Sequence, residues 1–320
     1  MGRRELSNTI GIDVGGTKIA GGVVDDDGHL IAELRRESPA AHPDAIAATI
    51  ADMVGELRAD DEVRAVGVAA AGFIDLARET IMFAPNLAWR DESLRKKVAD
   101  LVDLPTLLEN DANAAAWAEA RFGSGQDART LVMAAIGTGI GGGLVSGGRL
   151  FRGGFGVGAE FGHMRVVPDG RPCACGLRGC WEAYGSGTGL TVRARELAAE
   201  DRAGASLLLS LGDGDPSSIT GPMVTEAAEK GDPVAVRCFD ELADWIGAGL
   251  ASLAAVLDPD VIVVGGGVSE SPALSLERVA AAFAAAETGA GFRPSPAIRL
   301  AALGNKAGLI GVADLAREQA

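Results

Sequence analysis

A strand, a glycine turn and a second strand open this chain, and the same phrase returns past residue 130, which limits the chain to a duplicated plan. The first half reads as a strand at Thr9–Val14, a turn at Gly15–Thr17, a strand at Lys18–Asp25, an Asp-Gly turn at Asp27–Gly28 and a strand at Leu30–Glu37. A helix follows Pro43 to about Leu57, then a strand at Ala65–Ala70, a helix near Glu92–Val102, a strand at Thr106–Leu108 and a helix from Ala112 to Arg121, ended by Gly123. The second half opens with a strand at Thr130–Ile136, a glycine turn at Gly137–Gly142, a strand at Gly143–Val145 and another near Gly148–Phe151. It continues with helices at Thr188–Ala199, Pro222–Lys230 and Pro233–Leu257. A strand at Val261–Val264, the turn Gly265–Gly267, a helix at Leu274–Ala286, a strand at Ala297–Leu300 and a helix after Asn305 complete it. Such a chain is an α/β protein with two mixed sheets.

Composition narrows the partners. A length of 320 residues with 48% apolar content supports two domains with separate cores. The net charge of −15 is spread without a basic block, which argues against nucleic acid and anionic membranes and favours a small-molecule substrate. The apolar stretch Trp245–Leu257 is too short to span a bilayer and follows Asp244, so it reads as a buried helix. The charged start Met1–Asn8 runs straight into a strand and lacks the features of a signal peptide. With the cysteines gathered rather than paired along the chain, a reducing cytoplasm is expected.

Three of the four cysteines lie close together, at Cys173, Cys175 and Cys180, with His163 shortly before them. Thiolates and a neutral imidazole suit tetrahedral zinc, and a closed Cys3His set is ordinarily structural. The alternatives are an unliganded loop cluster, or a disulfide with a spare thiol; Gly176 and Gly179 supply the tight turns of a metal knuckle and favour zinc. Glu160 and Glu182 flank the set. With one ring nitrogen on the metal, His163 keeps the other for a partner such as a hydroxyl-rich ligand. The two glutamates read otherwise as solvated charges. Gly158, Gly162, Gly185 and Gly187 around them suit close ligand approach.

Gly15-Gly16-Thr17, Gly137-Thr138-Gly139 and Gly265-Gly266-Gly267 each sit where a strand ends. Glycine lets backbone amides surround phosphate oxygens, so three such turns spread over both halves point to a nucleotide, although any one alone is usually a hairpin. Gly137, Gly139 and Gly142 match G-x-G-x-x-G, but a strand rather than a helix follows, and the dinucleotide-binding context fails. Lys18 follows Thr17 rather than preceding it, which excludes a P-loop. Asp13, just before the first turn, is placed to hold Mg2+ through water or to satisfy turn amides. Asp111, between a strand and a helix, is either an N-cap or a base that accepts a hydroxyl proton. Cys238, His29, His42, Trp117 and Trp245 take packing, turn or cap roles.

Together these motifs resemble the ROK family of sugar kinases and repressors, within the two-lobed actin- and hexokinase-like (ribonuclease H-like) ATPase fold. Ile12-Asp13-Val14-Gly15-Gly16-Thr17-Lys18 resembles the family's first phosphate motif, Gly137-Thr138-Gly139-Ile140-Gly141-Gly142 its second, and Val263-Val264-Gly265-Gly266-Gly267 its adenosine motif. Glu160-Phe161-Gly162-His163 with Cys173-Ala174-Cys175-Gly176-Leu177-Arg178-Gly179-Cys180-Trp181-Glu182 resembles its signature, zinc ligands included. The likeness covers nearly the whole chain and runs toward the ATP-dependent glucokinases of actinobacteria. It implies ATP with Mg2+, structural Zn2+, Asp111 as the base on the sugar 6-hydroxyl, and Asn110, Glu160, His163, Glu182 and Gly72 around the remaining hydroxyls. It further implies a small domain of residues 1–112 and 306–320, a large domain of residues 113–305 carrying the zinc loop, and a homodimer or higher homo-oligomer. The family's repressors carry an added N-terminal helix-turn-helix; with the first strand opening at Thr9, none is expected here. The activity implied is transfer of phosphate from ATP to glucose. The rivals are mannose, fructose or an N-acetylhexosamine as acceptor, polyphosphate as donor, and a non-catalytic sugar-sensing regulator.

Overall fold

The computed structural model describes residues 8–59, 62–84 and 89–318, so the charged start read above as no signal peptide lies, up to residue 7, outside the described residues. By packing, the chain forms two compact units: Met1–Met133, Gly142–Ala159 and Asn305–Ala320 in the first, and Ala134–Gly141 and Glu160–Gly304 in the second. This line differs from the expected division at 112/113.

The chain begins with β1 (Asn8–Val14), β2 (Lys18–Val24), β3 (Leu30–Glu37), α1 (Pro43–Leu57) and β4 (Val63–Ala70). Next come β5 (Phe73–Ile74), β6 (Ile81–Phe83), β7 (Arg90–Glu92), α2 (Leu94–Val102), β8 (Thr106–Asn110) and α3 (Asp111–Arg121). One sheet has the order β3-β2-β1-β4-β8 and a small one the order β5-β6-β7. β1 pairs antiparallel with β2 and parallel with β4, and β4 pairs parallel with β8, so β1, β4 and β8 all end at one edge. On one face, Ile10 and Ile12 join Ile46, Ile50 and Met53 of α1 in a core where all five are fully buried. Each such side chain contributes on the order of 1.5–3 kcal/mol. Gly11 and Gly67 point to the other face, where a Cβ would lie 2.0 Å from the carbonyl oxygens of Leu309 and Val312. These glycines let the C-terminal helix rest directly on the strands.

The second sheet has the order β11-β10-β9-β12-β13, built from β9 (Thr130–Ile136), β10 (Ile140–Ser146), β11 (Arg149–Leu150), β12 (Val261–Gly265) and β13 (Ala297–Leu300). β12 is buried throughout, as its unbroken apolar run demands. The helices are α4 (Glu182–Gly185), α5 (Gly187–Glu200), α6 (Ser206–Leu211), α7 (Gly221–Glu229), α8 (Pro233–Leu257), α9 (Leu276–Ala286) and α10 (Ala307–Arg317). α8 starts where the Asp232 side chain accepts from the Ala235 amide, with Pro233 in its first turn, and stops at Asp258 in the left-handed conformation. Its buried residues include Cys238, Leu242, Ile246 and Leu250, and at Gly247 the helix comes close to Val279 and Phe283 of α9. Among the described residues no helix is long and apolar enough to cross a membrane.

Several boundaries move from expectation. β10 begins at Ile140, so the second glycine turn closes at Gly139 rather than Gly142. β8 runs on to Asn110, and α2 starts only after Ser93. The three-stranded sheet, α4 and α6 have no counterpart in the sequence reading, because runs this short carry no periodicity.

Candidate active site and metal centre

In the first unit, β1 delivers Asp13 to the sheet edge where β8 ends at Asn110 and α3 begins at Asp111. Asn110 is the N-cap of α3: its side chain accepts from the Asn113 amide at 3.0 Å. Asp111 is thus the first helical residue and not the cap, which corrects the alternative reading of this aspartate. One Asp111 oxygen accepts from the Ala112 amide at 2.9 Å. Burial pushes the Asp111 carboxyl above the ordinary range, while this amide opposes the shift. Burial, and then the charge of Asp111, raise Asp13 to about 7. Two carboxylates so disposed are a fit for a divalent cation, which relieves their repulsion.

Asn110 also donates through Nδ2 to the Gly72 carbonyl at 3.2 Å. Gly72 has φ 133, and a Cβ there would lie 2.7 Å from the Phe83 carbonyl oxygen, so no other residue fits this bend. Gly15, Gly16, Thr17 and Lys18 form the β1–β2 turn, closed by the Gly15 amide donating to the Lys18 carbonyl at 2.9 Å. Gly16, Thr17 and Lys18 are exposed at its tip.

In the second unit, the ligand atoms of His163, Cys173, Cys175 and Cys180 lie within 4.8 Å of one another. Cys175 and Cys180 Sγ are 3.7 Å apart, and His163 Nδ1 is 3.7 Å from Cys173 Sγ. A tetrahedron with Zn–S bonds of about 2.3 Å has edges of about 3.8 Å, so the donor set fits zinc in both chemistry and spacing. The cluster is seated by Trp181, fully buried beside Cys180, whose Nε1 donates to the Trp245 carbonyl on α8 at 2.8 Å. Glu182 Oε1 lies 2.9 Å from Cys173 Sγ and 3.6 Å from His163 Nδ1, while Glu160 Oε2 is 4.0 Å from His163 Nε2. The other Glu182 oxygen accepts from the Ile140 amide at 3.4 Å. A Cβ on Gly139 would come within 2.5 Å of that oxygen. The second glycine turn and the metal loop therefore meet at Glu182.

Beside this turn lies a cavity of about 560 Å³ lined by Gly137, Thr138 and Gly267 together with Leu190, Val192, Pro222, Val268 and Arg195. Gly265 ends β12, and Gly266 carries φ 86. Thr188 and Thr191 of α5, Thr225 of α7 and Ser271 also line it and, like Arg195, were missed from sequence. Positions 188, 191, 192 and 195 follow helical spacing on one face of α5, which is the signal that marks them.

Residues 9–319 match the ROK family model. A glucokinase of Streptomyces coelicolor is 48% identical, with 97% of this chain and 98% of the relative covered. The structure of a ROK family glucokinase from Streptomyces griseus in complex with glucose and AMPPNP superposes with a TM-score of 0.88 at 48% identity, covering 98% of this chain and 100% of that one. A ROK hexokinase from Thermus thermophilus gives a TM-score of 0.82 at 34% identity, over 98% of both chains. The chain belongs to the ROK family.

Proposed function

We propose that this protein transfers the γ-phosphoryl group of ATP to the 6-hydroxyl of glucose. The observation that carries the reading is the full-length likeness to the Streptomyces griseus glucokinase whose structure holds glucose and AMPPNP. In this reaction O6 forms a bond to the γ-phosphorus, the bond from that phosphorus to ADP breaks, and the hydroxyl proton passes to the carboxylate of Asp111. Asn110, Gly72, Glu160, His163 and Glu182 hold and orient the other hydroxyls. Gly15, Gly16, Thr17 and Lys18, and separately Gly137, Thr138 and Gly139, offer amides and a cation to the phosphates. Gly265, Gly266 and Gly267 border the nucleoside.

The cavity walls support ATP over polyphosphate: Leu190, Val192, Pro222 and Val268 suit a neutral base, and Arg195 is the only charged residue among those lining it. Asp13 would hold Mg2+, which neutralises phosphate charge when bound. His163, Cys173, Cys175 and Cys180 would hold a structural Zn2+ that fixes the segment between Glu160 and Glu182. Action in the cytoplasm as a homodimer or higher homo-oligomer belongs to the same proposal.

A coupled assay across glucose, mannose, fructose, N-acetylmannosamine and N-acetylglucosamine, each with ATP and with polyphosphate, tests it. Glucose with ATP should give the highest kcat/KM. A higher value for any other pair would transfer the proposal to that pair, and no turnover with any would leave a regulator.

A further inference from the structure

Glu109 is the residue before Asn110 and lies fully buried at the end of β8. Its carboxylate accepts from Arg78 through Nε and Nη2 at 2.9 Å each, from Arg152 Nε at 3.0 and 3.1 Å, from Asn113 Nδ2 at 3.2 Å and from the Asn110 amide at 2.9 Å. Arg152 is itself 8% exposed, and its remaining nitrogens donate to the carbonyls of Leu76, Asp75 and Ile74 at 2.9, 3.0 and 3.3 Å. Arg78 reaches in from a left-handed backbone, φ 60, a conformation uncommon for a residue with a long side chain. All of these residues belong to the first unit.

A buried ion network is a poor device for stability alone, because apolar residues of similar volume often do as well or better. Here the network immobilises three segments around one strand end, and that end carries Asn110 and Asp111. We infer that Glu109, clamped by Arg78 and Arg152, is the positioning residue for the base. It holds the Asn110 amide directly and Asn113 through its side chain; Asn113 in turn meets the Asn110 cap oxygen. The Asn110 side chain is then fixed between the Asn113 amide and the Gly72 carbonyl. The first turn of α3, and with it the direction of the Asp111 carboxylate, is set by a group too deeply buried to touch substrate. This inference rests on the kinase reading above.

The test compares kcat and KM of the full-length wild type, Glu109→Gln and Ile50→Ala, a core variant on the far side of the sheet that controls for lost stability. Each protein is assayed at a temperature where circular dichroism shows it folded, with glucose affinity measured separately by calorimetry. Misplacing a reacting group by about 1 Å costs roughly 100-fold. Glu109→Gln should therefore lose about 10- to 100-fold in kcat, with KM for ATP changing less than about twofold. Ile50→Ala should lose melting temperature and keep its kcat. A folded Glu109→Gln protein with kcat within twofold of wild type, or an equal fall in kcat in Ile50→Ala, overturns the inference. Should Glu109→Gln fail to fold, Arg78→Gln removes the more exposed guanidinium and should lower kcat about 5- to 10-fold; no fall there overturns the inference as well. A wild type that phosphorylates no sugar sinks the kinase reading instead.

Discussion

Replacing Asp13 with asparagine should make the protein more stable and less active, by an amount that depends on pH. In the folded chain the Asp13 carboxyl is raised from 3.8 to about 7, by burial first and by Asp111 second. Each unit is worth about 1.4 kcal/mol, so the ionised group costs the fold at most about 4 kcal/mol. Asp13 keeps some contact with solvent, and screening reduces this to about 1–2 kcal/mol. Below pH 3.8 the group is protonated whether the chain is folded or not, and the full stability is present. As pH rises toward 7 the unfolded chain releases the proton first, and stability is lost. Asp13→Asn escapes that loss, so its gain should be near zero at pH 4, about half complete at pH 5.5 and complete near pH 8. Denaturant midpoints of both proteins at pH 5.5 and pH 8, without added divalent salt, measure it. Added Mg2+ should then stabilise the wild type and leave the variant unmoved, and glucose phosphorylation by the variant should fall. An equal gain at both pH values, or a loss at pH 8, refutes the reasoning.

Asp111→Asn should lower kcat by about 10²- to 10⁴-fold while glucose affinity changes little, and stability at neutral pH should not fall, since the cap of α3 is Asn110 and burial penalises the Asp111 charge; steady-state kinetics, calorimetry and denaturation check this. Elemental analysis should find one zinc per chain, and Cys175→Ser should lose it together with melting temperature and sugar affinity, because the loop bearing Glu182 loosens. Gly72→Ala, forced to hold φ 133 against the Phe83 carbonyl, should cost about 1–3 kcal/mol and raise KM for glucose, read by denaturation and kinetics.

The parts of this molecule that were legible from sequence are those whose causes are local. The hairpin β1–β2–β3 was read almost to the residue, because glycine and Asp-Gly breakers bound alternating apolar runs. The cysteine cluster was equally plain, since a metal knuckle brings its ligands together along the chain. Glu109 was opaque. In sequence it is one glutamate among many, and its partners Arg78 and Arg152 come from distant segments that only the fold unites. The cue available was its place after the buried pair Leu107 and Leu108, in a strand running into a helix. Asn110 was not singled out as the cap for a simpler reason: asparagine and aspartate cap equally well, so the cap alternative for Asp111 could not be decided between neighbours by propensity.

Because α3 begins at Asp111, the proposed base stands at the positive end of a column of aligned peptide dipoles. That partial charge comes from the backbone itself, so neither acetylation nor exchange of a neighbouring lysine can switch it off. Interactions of this buried kind are also weakly screened by salt. The proton affinity of Asp111 should therefore vary little with ionic strength, whereas the phosphate contact proposed for the exposed Lys18 should weaken in concentrated salt.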